Sequence, residues 1–187
     1  MVRSRLGALV VVLVCANGAR ADAQSFFTGL LTGYIGVARD GDIGDAARTG
    51  GASIAVIDDN GVGAEIDVGY TGSFDEDFFD DASVASFMLN FIGIYSEGAF
   101  RPYVNLGVGA VHLRTSLFPG QPTSTQTEPA WDAGGGLFVV LNEYVSLRGD
   151  VRYFRLWERP TELVLRDPGF FDYWRLSIGA TFTWPMR

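Results

Sequence analysis

The stretch Val145-Ser-Leu-Arg-Gly-Asp-Val-Arg-Tyr-Phe-Arg-Leu-Trp157 decides how the rest of the chain is read. Taken in steps of two, Val145, Leu147, Gly149, Val151 and Tyr153 form one set, and Ser146, Arg148, Asp150, Arg152 and Phe154 form the other. A β-strand sends successive side chains to opposite faces, so this segment has one apolar and one charged face. At helical spacing the arginines would be spread around the whole circumference, which is a poorer fit. The segment is about a dozen residues long, more than an average soluble strand. It is close to the roughly 9–11 tilted residues that cross a bilayer. If the apolar face meets lipid, the charged face has to line a closed interior.

Seven further segments alternate in the same way. The expected strands are Gly29–Ala38, Gly51–Asp58, Val62–Gly72, Val84–Tyr95, Pro102–Arg114, Ala130–Leu141 and Asp172–Trp184, with the opening stretch seventh in order. In the third, Val62, Ala64, Ile66, Val68 and Tyr70 alternate with Gly63, Glu65, Asp67, Gly69 and Thr71, again apolar against charged. Asp58-Asp-Asn-Gly61 between the second and third is a strong hairpin signal. The connections sort by length. Arg39–Gly50, Ser73–Ser83, Thr115–Pro129 and Glu158–Phe171 are long, whereas those near Asn60, Gly98 and Asn142 are short. An even-stranded antiparallel barrel in an outer membrane has this asymmetry, with long loops outside and short turns on the periplasmic side. The fold class is therefore all-β: an eight-stranded antiparallel up-and-down transmembrane β-barrel.

The N-terminus reads as an export signal. Arg3 and Arg5 precede an apolar run from Leu6 to Val14, and Ala21-Asp22-Ala23 is a small-x-small cleavage site. The expected organisation is a signal peptide at 1–23, cleaved after Ala23, and a barrel domain at 24–187. Cleavage would remove Cys15, the only cysteine, and with it any disulfide or thiol-based metal site. It would also remove three arginines and one aspartate, making the remaining chain two charges more negative than the −8 of the full sequence. All 14 basic residues are arginine, and the acidic balance argues against nucleic acid as a partner. No later run is long and apolar enough for a transmembrane helix, so a membrane crossing has to be made by a closed barrel.

Four segments carry a family resemblance: Arg101-Pro-Tyr-Val-Asn-Leu-Gly-Val-Gly109, Trp131-Asp-Ala-Gly-Gly-Gly-Leu137, Leu147-Arg-Gly-Asp-Val-Arg-Tyr153 and Leu176-Ser-Ile-Gly-Ala-Thr-Phe182. They resemble the small outer-membrane β-barrel proteins of the OmpA-like and opacity-protein type, over the whole mature chain. The resemblance implies residence in the bacterial outer membrane and contact with its lipids and lipopolysaccharide. It also implies insertion by the barrel-assembly machinery and a monomeric barrel whose long loops are open to extracellular ligands.

The expected site residues follow from the alternation. Glu65, Asp67, Asp132, Arg148, Asp150, Arg152 and Arg175 fall on inward positions, as either a salt-bridged plug or a gated ion path. An eight-stranded barrel is only just wide enough for its own side chains to fill, which favours the plug. Tyr70, Tyr95, Tyr103, Trp131, Tyr144, Tyr153, Trp157, Trp174 and Trp184 lie near strand ends, where an interfacial aromatic girdle belongs. His112, with Arg114 and Ser116 nearby, prompts comparison with lipid A-modifying barrel enzymes. However, it alternates with Val108 and Ala110 on the apolar face and reads as an interfacial side chain. The acidic run Asp75, Glu76, Asp77, Asp80, Asp81 lacks the spacing of an EF-hand loop. No catalytic residue, metal site or cofactor is expected. The function read from these features is structural or surface-interacting. A narrow ion channel is the alternative, a lipid A-modifying enzyme comes next, and a soluble lipocalin-like carrier is disfavoured by the charged inward faces.

Overall fold

A computed structural model describes residues 27–39, 43, 46–72, 81–116, 124–157 and 171–186. Its strands are β1 (Phe27–Arg39), β2 (Ala47–Ile57), β3 (Val62–Thr71), β4 (Asp81–Ile94), β5 (Phe100–Ser116), β6 (Ser124–Val140), β7 (Val145–Leu156) and β8 (Asp172–Met186). Each pairs antiparallel with its sequence neighbours, and β8 returns to β1 from Phe27↔Met186 to Arg39↔Trp174, closing the barrel. Closure satisfies every strand edge, which an apolar bilayer requires. The signal-peptide reading and the acidic loop at 73–80 lie outside the described residues.

The alternation is visible in burial. Along β7, Ser146, Arg148, Asp150, Arg152 and Phe154 are buried, while Leu147 and Val151 are exposed. Leu31, Ile35, Ile66, Val68, Phe87, Phe91, Val104 and Ile178 likewise point outward and are 40–69% exposed. Such an apolar exterior around a polar interior is what lipid selects. Among the short turns, 58–61 is fastened by Asp58, whose Oδ1 accepts from the backbone N–H of Asn60 (3.0 Å) and of Val62 (2.8 Å). These bonds hold the Asp58 carboxyl below its ordinary range, the one to Val62 contributing most. Gly61 sits at φ +82°, a backbone conformation that side chains disfavour, as the hairpin demands.

Several strands are longer than the alternation indicates. β5 and β6 remain paired up to Thr115↔Ser124, so the expected loop Thr115–Pro129 shrinks to 117–123. β2 begins at Ala47 rather than Gly51, and β4 at Asp81 rather than Val84. The reason is an inversion of polarity near the long-loop end. There Ala38, Ala47, Val111, Leu113 and Leu156 point inward and are at most 3% exposed. Their neighbours Arg39, Arg48, His112 and Arg114 point outward and are exposed. At this end the barrel is built like a soluble one, apolar inside and polar outside. An outward-apolar pattern does not register there.

Candidate functional site: the filled lumen

The inward positions stack in three layers. Near the short-turn end, Leu30, Ala55, Ile57, Ile92, Tyr103 and Phe138 form an apolar cluster. Toward the long-loop end a larger cluster packs Met88, Val84, Leu113, Phe154, Phe171 and Tyr173 with Ile43, all at most 2% exposed. Phe154 and Tyr173 stack nearly parallel at 4.8 Å between ring centroids. The charged residues lie between these clusters.

Arg148 on β7 reaches across the lumen to β3, where its Nη1 donates to Glu65 Oε2 at 2.5 Å. Arg152, four residues further along β7, donates through Nη2 to Glu65 Oε1 at 2.6 Å and through Nε to Asp150 at 3.0 Å. Its Nη1 lies 3.5 Å from Asp132 on β6. Arg175 on β8 donates to Asp67 Oδ1 at 2.9 Å, and Asp67 Oδ2 lies 4.0 Å from Arg152. Glu65, Asp67, Asp132, Arg148, Asp150, Arg152 and Arg175 thus form one continuous network, each at most 7% exposed. On depth alone, strands six to eight would gather Asp132, Arg152 and Arg175 into a separate second cluster. They do not separate, because the long Arg152 side chain bridges both levels.

Four carboxylates face three guanidiniums, so neutral donors have to complete the set. Tyr34 Oη accepts from Arg175 at 2.7 Å and donates to Asp67 at 3.3 Å. Ser53 donates to Glu65 at 3.1 Å, and Asn105 donates to Asp132 at 3.1 Å. With its amide oriented to suit both neighbours, Asn90 donates to Asp132 at 2.7 Å and accepts from Arg152 at 3.1 Å. Gly107 makes room for this packing: a Cβ there would collide with Asn90 and Asp132. Buried charges require such pairing, because leaving one unpaired in a dry interior is costly. A cavity of about 10 Å³ remains, lined by Tyr34, Asp67, Arg148, Asp150, Arg152, Arg175 and Ser177. That is room for about one water.

Tyr103 corrects one expectation. Read as part of the outer girdle, it is 4% exposed and points into the lumen. Its hydroxyl accepts from Arg148 Nε at 2.8 Å and donates to Asp150, while the Arg148 guanidinium lies over its ring at 4.6 Å. Its position beside Asn105 and Gly107 in the alternation was the available signal; nearness to a strand end was misleading. Tyr34, Ser53, Asn90 and Asn105 also went unnoticed, because uncharged polar residues on inward positions look the same whether or not they meet a charge.

The other aromatics lie outside the lumen or at the turns. Tyr70, Tyr95, Tyr144, Trp157 and Trp174 are 43–59% exposed. Trp131, Tyr153 and Trp174 form an outer row across β6, β7 and β8, with centroids 5.7 and 5.1 Å apart. Trp184 packs over Gly29 on the neighbouring strand. His112 also points outward, its Nδ1 2.8 Å from Thr127 Oγ1. Among the described residues no cluster of His, Cys, Asp and Glu is arranged to hold a metal ion.

The model of the outer membrane protein beta-barrel domain matches residues 6–182. The chain belongs to this family. No curated protein sequence matches it significantly. Solved structures show the same barrel at low identity. Neisserial surface protein A has a TM-score of 0.59 at 16% identity, with 84% of this chain and 96% of that one covered. The N-terminal β-barrel domain of Pseudomonas aeruginosa OprF has a TM-score of 0.56 at 16% identity, covering 86% and 100%. The attachment invasion locus protein Ail of Yersinia pestis, in complex with the heparin analogue sucrose octasulfate, has 0.55 at 16%, covering 85% and 99%. Membership of the outer membrane β-barrel family places the chain among bacterial outer-membrane barrels.

Proposed function

We propose that this protein is a closed, non-catalytic barrel that serves the envelope structurally and contacts the surroundings through its long-loop end. The observation that carries this reading is the continuous filling of the lumen. Two apolar layers bracket a continuous charge network, and the large side chains Arg152, Arg175, Tyr173, Phe154 and Met88 are at most 2% exposed. An ion crossing such an interior would have to break buried pairs and displace packed aromatic rings. In this reading the long loops face the extracellular side and the short turns the periplasm. The outer aromatics, led by Trp131, Tyr153 and Trp174, mark the bilayer interface. Outer-membrane lipids and lipopolysaccharide surround a monomeric barrel inserted by the assembly machinery. The test is planar-bilayer conductance of the purified barrel. Membranes should stay at baseline after insertion, and discrete ion-selective steps would establish the narrow-channel alternative instead.

A further inference from the structure

Among the described residues, Arg101 is the lumen-facing arginine that the central network leaves out. It shares the inward alternation of Tyr103 and Asn105 at the start of β5, and its Nε donates to the Gly98 carbonyl at 3.1 Å. No described carboxylate pairs with it. Around it the short-turn mouth of the barrel forms a cup of about 210 Å³. Leu30, Ile57 and Phe138, at most 9% exposed, make the floor. That floor is backed by the layer beyond it, since the Phe138 ring lies 4.9 Å from the Tyr103 ring and 5.1 Å from the Arg148 guanidinium. Thr28 and Thr183 add hydroxyls to the wall. Arg101 from β5 and Asp59 from the 58–61 turn line the same cup with opposite charges. The neighbouring Asp58 is engaged in fastening its own turn, which leaves Asp59 as the carboxylate open to a ligand.

The cup is far larger than the roughly 10–15 Å³ that one water needs, and water against its apolar floor has few polar partners. An apolar group that displaces such water gains free energy. The volume is also below the roughly 300–1,000 Å³ of sites for drug-sized molecules, so the occupant is small. The charges narrow its chemistry further. Asp58, Asp59, Glu97 and Glu143 in the short turns disfavour a simple anion, and Arg101 in the wall disfavours a simple cation. A molecule with a carboxylate, an ammonium and an apolar side chain suits all three surfaces. Its carboxylate meets the guanidinium of Arg101, its ammonium meets Asp59, and its side chain rests on Leu30, Ile57 and Phe138.

We propose that this cup is a binding site for a free apolar α-amino acid, held by Arg101 and Asp59 over the Leu30–Ile57–Phe138 floor. The closed floor makes it a site of binding and not of passage. That it is filled from the periplasm rests on the orientation proposed above; the site itself does not. The test titrates the mature barrel in lipid nanodiscs, where both ends are open to solvent, so a reversed orientation leaves the result unchanged. The probes are L-phenylalanine, N-acetyl-L-phenylalanine and L-phenylalaninamide, followed by saturation-transfer NMR of the ligand ring. L-phenylalanine should bind saturably, in about the millimolar range for a ligand of this size. Each blocked form should bind at least about 10-fold more weakly, the worth of one hydrogen bond to a charged group. Arg101→Gln and Asp59→Asn should each weaken L-phenylalanine by the same factor, and Arg101→Lys should keep most of the binding. Neither residue belongs to the central network, so the urea midpoint of these variants should match wild type. Unsaturable partitioning, equal binding of all three probes, or unchanged binding in both charge variants would overturn the site. A preference for the N-acetyl form would also overturn it, in favour of a peptide C-terminus. The probe series on wild type decides the question even if a variant fails to fold.

Discussion

Arg152→Ala is the sharpest perturbation of the lumen. Arg152 is the hub of the network: it donates to Glu65 at 2.6 Å and to both oxygens of Asp150 at 3.0 and 3.1 Å, and it lies 3.5 Å from Asp132. Its removal leaves Glu65 with Arg148 and Ser53, but it strips Asp150 of its closest guanidinium. It also leaves Asp132 with amide donors alone. Breaking a buried pair from one side typically costs about 3–5 kcal/mol, and the affected groups here are at most 7% exposed, so little screening softens the loss. The adjoining cavity of about 10 Å³ would grow to admit water, which places the expected loss near the lower end, about 3 kcal/mol. With a urea slope of about 1–3 kcal/mol per molar, the unfolding midpoint should fall by roughly 1–3 M. The assay is reversible urea unfolding in detergent or vesicles followed by tryptophan fluorescence. Conductance should stay at baseline, since Phe154, Tyr173 and Phe138 still close the axis on either side of the gap. A midpoint within error of wild type would refute the claim that this network holds the interior together. A conducting variant would show that the charges alone are the seal.

Tyr103→Phe should keep the ring under Arg148 while removing the hydroxyl that links Arg148 to Asp150. Leaving those buried partners short of a bond should cost about 1–3 kcal/mol in the same unfolding assay, and an unchanged midpoint would return Tyr103 to a passive role. The Asp58 turn should respond to pH in one direction only. Because folding holds this carboxyl below its ordinary value of about 3.9, its contribution is present above that value and is lost as pH falls through the lower folded one. Amide exchange at Asn60 and Val62 should therefore show no Asp58-linked change from neutral pH down to about 5 and should speed up only in stronger acid. In Asp58→Ala those amides should be unprotected throughout. Titration of the Asp58 carboxyl at or above its ordinary value, seen by carbon-detected NMR, would contradict the turn geometry.

The architecture was legible in the sequence because lipid imposes a strict rule on strands that cross it. Val145–Trp157 and Val62–Gly72 each show a period of two with opposite polarity on the two faces, and Asn60-Gly61 marks the turn before the latter. Where that rule lapses, the reading falls short. The long-loop ends of β2, β5 and β6 reverse their polarity, so Ser124–Pro129 reads as loop by alternation although it pairs with Ala110–Thr115 as strand. Tyr103 was misplaced for a related reason, since distance along a strand says nothing about which face a ring occupies.

By itself the sequence determined the strand count, the sorting of long and short connections, and which charged residues point inward, since each depends on local alternation and turn chemistry. Only the tertiary structure decided what those residues do together. The linking of Arg152 to Glu65, Asp150 and Asp132, and the apolar lid of Phe154, Phe171, Tyr173 and Ile43 above them, depend on the shear that brings distant strands to one level. Shear is a property of the closed barrel as a whole, and no single strand carries it.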